Sequence, residues 1–417
     1  MFAHYLRTAW KVLLRRKFFT FVNLFGIAIT LAVLTVVIAM LENFARPHGA
    51  ERTAANYVVV RDVALRDSAG EDHQREWSSR PGFRFIERHI WPLELPDRTG
   101  ILHGPNEATV FVDGIKMTPQ LTRTDAGFWD ILDYQFIEGR PLSPHDVEQG
   151  RFVAVINRAT RDGIFGAQSP LGRTITVSGQ QFEVVGVVEN EAEMRLNAFS
   201  DIWVPYTTFP STNYRTQWLG DFAALLYSDD PDRIPAIQEE FQQLLDTFEF
   251  TDPDQFKVAI SHANTQLDRV AREVMNTRFK KDSKAGLFLV LLFGAMLAFM
   301  LLPTINLVNL NVSRIMERAS EIGVRKAFGA SAGTLVGQFL VENVVLSIVG
   351  GLLGFVLGLV LIGIVEDSGL IAYADFAINL NVFLGAFFLM TLFGAISGVY
   401  PAWKMSRLNP VDALRGG

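Results

Sequence analysis

The sequence predicts a membrane α-helical protein of four transmembrane helices, with a large α+β domain inserted between the first and second. Three observations carry that prediction: four long apolar stretches, a change of charge sign along the chain, and a polar insert over residues 42–283 that mixes strand and helix periods.

The apolar stretches come first. Half of the 417 residues are hydrophobic, with 33 Phe, more than an ordinary soluble chain carries. Residues 18–41 hold no charge, 284–313 none after Lys284, 335–365 only Glu342, and 376–403 none. Crossing about 30 Å of hydrocarbon takes about 20 helical residues. A backbone in lipid must satisfy its own polar groups, so each stretch is read as a helix. The first is read as an uncleaved anchor, because its apolar run exceeds that of a signal peptide.

Charge then orients the chain. Arg7, Lys11, Arg15, Arg16 and Lys17 precede the first stretch. Arg314, Arg318, Arg325 and Lys326 follow the second, and Lys404, Arg407 and Arg415 follow the fourth. Residues 366–375 hold Glu366, Asp367 and Asp375 but no cation. Positive-inside counting puts residues 1–17, the 314–334 loop and the 404–417 tail in the cytoplasm, and residues 42–283 and 366–375 outside. The exported insert carries 25 cations against 37 carboxylates, the remainder 13 against 7, so the overall −6 describes neither half. Within residues 2–16, Phe2, Leu6, Trp10 and Leu13 share one helical face and Arg7, Lys11 and Arg15 another, predicting an amphipathic helix at the inner interface.

In the insert, Tyr57–Val63 reads as a strand, residues 64–80 as a polar loop, and Phe83–Ile90 as a short helix. Asp113-Gly114 between Ala108–Val112 and Ile115–Leu121 is a hairpin signal. A helix at Asp125–Leu132 is followed by strands at Phe152–Ile156, Thr174–Val177, Gln181–Val188, Ile202–Val204 and Phe222–Leu226. Asp232 is the expected cap of a helix to Thr247. Phe256–Ser261 reads as a strand, and Thr265–Lys281 as a helix that continues into the second apolar stretch.

The insert offers no catalytic pattern. His73, His89, His103, His145 and His262 are scattered without a metal-ligand rhythm, and Cys is absent. No G-x-S-x-G nucleophile elbow or phosphate-binding G-x-x-x-x-G-K-[ST] occurs. Ser178-Gly179-Gln180-Gln181 sits between two strand patterns and reads as a turn. The expectation is a binding or transmission module with no catalytic residues and no metal, and no sign of nucleic-acid binding.

Within the membrane stretches, Asn306 and Asn309 need partners in lipid and predict a packing face. Gly350, Gly354 and Gly358, four residues apart, predict close helix approach, either between copies or within the chain. Glu342 either snorkels to the inner interface or pairs with a cation of the 314–326 segment.

Several motifs then carry a resemblance. E-R-A-S-E-I-G-V-R-K-A-F-G-A-S (317–331), Q-F-L-V-E-N (338–343), G-G-L-L-G (350–354) and Y-P-A-W-K-M-S-R-L-N-P-V-D-A-L-R (400–415) resemble the permease core of MacB-like and FtsX-like (type VII) ABC transporters. In the insert, G-R-P-L (139–142), V-A-V-I-N (153–157), P-L-G (170–172), F-E-V-V-G-V-V (182–188) and W-V-P (203–205) are similar to the periplasmic core domain of that family.

The resemblance implies a dimer of permeases, of one kind or two, in the bacterial inner membrane, multi-pass, with both termini cytoplasmic. It implies a coupling helix that engages an ATPase subunit through Glu317, Arg318, Glu321, Ile322, Gly323, Arg325, Lys326 and Gly329. No ATPase is fused ahead of the first helix here, so a separate ATPase chain is expected to hold ATP and Mg, with no cofactor in this chain. Two functions follow. One is export of an antibiotic, peptide, siderophore or other periplasmic substrate, with a periplasmic adaptor and an outer-membrane channel as further partners. The other is a cell-division type of regulator whose exported domain activates a cell-wall hydrolase.

Overall fold

The computed structural model describes residues 17–45, 48–67, 75–112, 114–166, 168–247, 256–317, 324, 332–376 and 380–406. The expected amphipathic helix before residue 17, the turn residue Asp113 and the tail from 407 lie outside the described residues. The chain forms two units. One comprises Met1–Glu42, Leu289–Leu370 and Phe376–Gly417, the other Asn43–Phe288 with Ile371–Asp375.

The first unit is built on four long helices, Lys17–Ala45, Ala285–Glu317, Ala332–Asp367 and Leu380–Ser406. Three contain a stretch long and apolar enough to cross a membrane, namely Thr20–Glu42, Ala285–Leu302 and Val336–Asp367. The described apolar stretch of the fourth, Leu380–Ile396, is shorter. Phe18, Val290, Phe293, Val356, Ile364 and Phe388 are each more than half exposed, whereas Asn23, Thr30, Thr35, Glu342, Asn343 and Ser347 are buried. An apolar exterior around a partly polar interior is the reverse of a water-soluble bundle.

The second unit is α/β. Its strands join into one sheet of fourteen among the described residues. At its centre Tyr57–Arg66 pairs antiparallel with Phe222–Tyr227, which pairs with Arg98–Glu107, a strand not anticipated from sequence. Side chains alternate between faces of a strand. Val58 and Val60 therefore join one core with Phe85, Ile86, Ile237 and Phe241, while Tyr57 and Val59 join another with Trp129, Trp203 and Leu225. Both faces are covered, which is why F-A-A-L-L-Y at 222–227 is a continuous apolar run without alternation. Toward the other end, Val153–Asn157 runs parallel to Gln180–Val188, and Ile202–Pro205 parallel to Gln120–Thr124, over a third core containing Ile156, Phe182 and Val204. Ser178 and Gly179 turn between Thr174–Val177 and Gln180–Val188 with positive φ.

Three expectations need correction. Residues 64–80 are not wholly loop: the first strand continues to Arg66, and Glu76–Pro81 pairs with it. Asp230 rather than Asp232 accepts the capping bond, through a short turn at Pro231–Arg233 ahead of the helix Ile234–Thr247. The helix begun by the Thr265 and Asp268 capping box ends at Val274 and does not run on. Asn276 and Lys284 adopt left-handed backbone, and the Arg272 guanidinium donates to the carbonyls of Thr277 and Lys280, building an elbow before Ala285.

The G-R-P-L motif is fixed by an ion pair. The wholly buried Asp146 carboxylate accepts from Arg140 (2.5 Å), Arg151 (3.0 Å) and the Ser143 hydroxyl (2.6 Å), closing the capping box of the helix Pro144–Glu148. Burial opposes its ionisation, but the Arg140 and Ser143 bonds outweigh burial and hold it well below the usual carboxylate range. A depressed carboxyl contributes stability above its unfolded pKa and loses it as pH falls toward the folded value. Asp146→Asn should therefore destabilise the α/β unit at pH 7 by about 2 kcal/mol, discounted for the half-exposed arginines. The gap to wild type should close as the pH falls below about 4. Thermal melts of the intact protein followed by tryptophan fluorescence check both points.

Candidate transmission site

Two places in the structure bear on how motion could pass along this chain, one in each unit. The first is a seam without side chains. A Cβ added at Gly350 would lie 2.8 Å from Ile27 Cγ2, at Gly354 2.8 Å from the Ala28 carbonyl oxygen, and at Gly358 3.0 Å from Thr35 Cβ. Glycines four residues apart thus let the Ala332–Asp367 helix lie against the backbone of Lys17–Ala45. The paired numbers rise together, so the two helices run parallel, the relation that positive-inside counting expects of a first and third span. Thr35 donates to the carbonyl of Leu31, which keeps its hydroxyl satisfied within its own helix (2.7 Å).

Glu342 is buried, 4% exposed, and its Oε1 accepts from Gln338 Nε2 one turn away (3.2 Å). Asn309 is exposed on its helix, and the Asn306 side chain lies outside the described residues. Glu317 is the last residue of the Ala285–Glu317 helix. The remaining coupling candidates Arg318, Glu321, Ile322, Gly323, Arg325, Lys326 and Gly329 lie outside the described residues.

The second place is in the α/β unit, around residues 191–201. Each segment of this unit that leads toward a long helix is tied to it. Just after the first helix, the Ala50 amide donates to Glu191 Oε1 (3.0 Å), and Glu51 Oε1 accepts from the Asn197 amide (2.8 Å). From the segment before the second helix, Gln266 Nε2 donates to Glu51 Oε2 (2.7 Å). From the connection between the third and fourth helices comes a strap, Ile371–Asp375, which clusters with this unit. The Glu193 amide donates to the Ala372 carbonyl (2.9 Å), the Ala372 amide donates back to Glu193 Oε2 (3.2 Å), and the Tyr373 hydroxyl donates to Asp201 Oδ1 (2.7 Å).

Charge holds this site together. Arg195 and Glu191, four residues apart and both buried, form an ion pair at 2.5 Å, and Arg195 Nη2 stands 3.6 Å from Asp375. Burial pushes the Glu191 and Glu51 carboxyls up, against the lowering pull of Arg195 on the first and of the Asn197 and Gln266 bonds on the second. Gly49, at φ 63, allows the contact, since a Cβ there would meet Arg195 Nη1 at 2.6 Å. Asp201 is the anchor of the strap because it also accepts from Asn157 Nδ2 and the Gln120 amide, tying three strands. Burial, then the bond to Asp201, raise the Tyr373 hydroxyl to about 12, so it remains a donor at physiological pH.

Sequence reasoning singled out none of Glu51, Glu191, Arg195, Asp201 or Tyr373. The available signals were the i,i+4 spacing of Glu191 and Arg195 in a stretch without strand or helix period, and a tyrosine in a short acidic connection. Among the described residues no group of His, Cys, Asp or Glu has the arrangement of a metal site.

A family model for the MacB-like periplasmic core domain matches residues 20–244, and one for the FtsX-like permease C-terminal region matches residues 293–410. The pyoverdine export ATP-binding/permease protein PvdT of Pseudomonas syringae pv. syringae (strain B728a) is 28% identical over 430 residues, which is 98% of this chain and 59% of that protein. The chain thus spans about three fifths of the length of such relatives. The uncharacterized ABC transporter permease YvrN of Bacillus subtilis (strain 168) is 25% identical over 419 residues, 99% of each chain. The periplasmic region of MacB from Actinobacillus actinomycetemcomitans gives a TM-score of 0.38 at 16% identity, over 57% of this chain and 98% of that one.

Two outcomes test the geometry. Gly354→Ala should lower the melting temperature of the purified protein by several degrees, because the added methyl meets backbone, about 1–3 kcal/mol of overpacking. Gly363→Ala in the same helix, with nothing within 4 Å, should not lower it. Tyr373→Phe should speed hydrogen exchange at Glu193 and Ala372 about tenfold, the value of one lost hydrogen bond, leaving the central strands protected.

Proposed function

This chain belongs to the family of ABC transporter permeases built from a MacB-like periplasmic core domain and an FtsX-like C-terminal half, and from that membership we propose that it is the permease subunit that turns ATP hydrolysis by a separate ATPase chain into motion of its exported domain. In this reading all four long helices cross the inner membrane, both termini are cytoplasmic, and the 42–283 domain and the 371–375 strap are periplasmic. ATP and Mg are held by the ATPase, and the chain itself carries out no chemistry.

One observation carries the proposal: the FtsX-like match spans E-R-A-S-E-I-G-V-R-K-A-F-G-A-S, a charged segment between two apolar helices whose carboxylates and glycines exceed what a merely positive flank needs. Glu317 and Glu321 are four residues apart in the sequence, and Arg318, Arg325 and Lys326 supply cations for pairing across an interface. The site at residues 191–201 supports the other half of the reading, since it collects the segments through which helix movement would reach the exported domain. The likeness to PvdT favours export, of a siderophore such as pyoverdine or of an antibiotic or peptide, by a permease dimer working with an adaptor and an outer-membrane channel. The cell-division type of regulator rests on the FtsX-like match alone.

The test is co-purification with a candidate ATPase and stimulation of its hydrolysis. Wild type should do both, while Glu321→Lys and Gly323→Trp should lose at least about tenfold in affinity, as charge reversal or a bulky insertion at a packed interface does. Normal binding and stimulation by both variants would remove the coupling assignment.

A further inference from the structure

The exported unit, net acidic as it is, holds a cleft lined by arginine. Arg61, Arg80 and Arg269 line two cavities, one of about 670 Å³ and one of about 440 Å³. Arg61 is 6% exposed and lies on the central strand Tyr57–Arg66. Its terminal nitrogens reach only long contacts, 3.3–3.4 Å to the Leu196 carbonyl and 3.5 Å to Asn197 Oδ1, and its buried Nε has no partner among the described residues. A buried guanidinium N–H without an acceptor is costly, so such a group asks for one.

The neighbouring charges do not supply it. Asp221 is engaged by Arg80 (2.6 Å) and Asn106 (2.9 Å), Asp62 lies 3.8 Å from Arg278, and Glu193 is bonded to the strap. Arg272 spends its donors on Asn264 and on backbone carbonyls. Arg269, half-buried, makes no side-chain hydrogen bond or ion pair among the described residues, and is countered only through space by Glu51 and Asp62. Burial, then the like charges of Arg269 and Arg80, push the Arg61 guanidinium down to about 9. Three converging cations, two of them short of acceptors, favour an anionic ligand, since the carboxylates that share the larger cavity's lining, Asp62, Asp221 and Glu273, face Arg278 and Arg80.

We propose that this cleft binds an oxyanion, the carboxylate or phosphate group of a ligand, with Arg61 and Arg269 as its donors and the paired Arg80 as a flanking charge. Guanidinium groups offer parallel N–H donors that match two oxygens of one oxyanion. The Ala372 end of the strap lines the smaller cavity, so an occupant there would touch the connection between the third and fourth helices. Binding is a property of this chain alone and stands whether or not the ATPase reading holds.

Inorganic phosphate and acetate, each titrated into the intact detergent-solubilised protein at constant ionic strength against chloride, test it by thermal shift and calorimetry. The expected result is saturable stabilisation by at least one of them, phosphate alone pointing to a phosphate group and acetate to a carboxylate. Arg269→Gln should weaken that binding about 10- to 100-fold, the loss of a charge-assisted pair. Without anion this variant should melt no lower than wild type, because it relieves like-charge crowding, whereas a structural arginine would lower it. Arg88→Gln, outside the cleft, should bind as wild type does. No stabilisation beyond that of chloride, or unchanged binding by Arg269→Gln, would overturn the proposal.

Discussion

The α/β unit depends on one buried ion pair, Glu191 with Arg195. Arg195 holds the loop 191–201 closed and faces the strap through Asp375, and Glu191 holds the chain as it leaves the first helix through the Ala50 amide. A pair taken out of water is worth retaining only if its remaining donors and acceptors are filled, since desolvation otherwise exceeds the Coulombic gain. Here the second Glu191 oxygen is filled by the Ala50 amide, while Arg195 Nε and Nη2 make no hydrogen bond among the described residues, which makes the pair an organiser of topology more than a source of stability. Glu51 extends the same arrangement, one carboxylate oxygen on the loop and the other on the segment before the second helix.

Much of this architecture was legible in the residues. Long apolar stretches with at most one charge, bounded by charged residues, marked the long helices because lipid imposes a length and forbids unpaired backbone. F-E-V-V-G-V-V and V-A-V-I-N marked strands because β-branched side chains suit a sheet covered on both faces. Arg98–Glu107 escaped notice because Gly100, His103, Gly104 and Pro105 break its apolar pattern; Gly100 is there so that the strand can approach the backbone of Phe128. Glu76–Pro81, flanked on its outer side only by the two-residue strand Leu219–Gly220, escaped because its exposed Glu, Trp and Ser leave no buried face to impose a period.

The site was less legible than the fold, for a physical reason. Glu51, Glu191, Asp201 and Tyr373 act through hydrogen bonds to partners up to 215 residues away, and nothing local distinguishes them from surface carboxylates and a loop tyrosine. The glycine seam could be read because its spacing is itself the mechanism, although spacing did not say which helix fills it. Only the coordinates pair Gly350 with Ile27 and Gly358 with Thr35.

That seam has a consequence for how such a chain can vary. Close approach obtained by leaving out side chains is one-sided: no residue is smaller than glycine, and every alternative adds volume where backbone already sits. The partners Ile27, Leu31 and Thr35 can shrink or change shape, and loosen the contact by degrees. Gly350, Gly354 and Gly358 can only wedge it apart. Drift along this line of contact is therefore confined to the first helix, and the third helix acts as the fixed template against which the first is fitted.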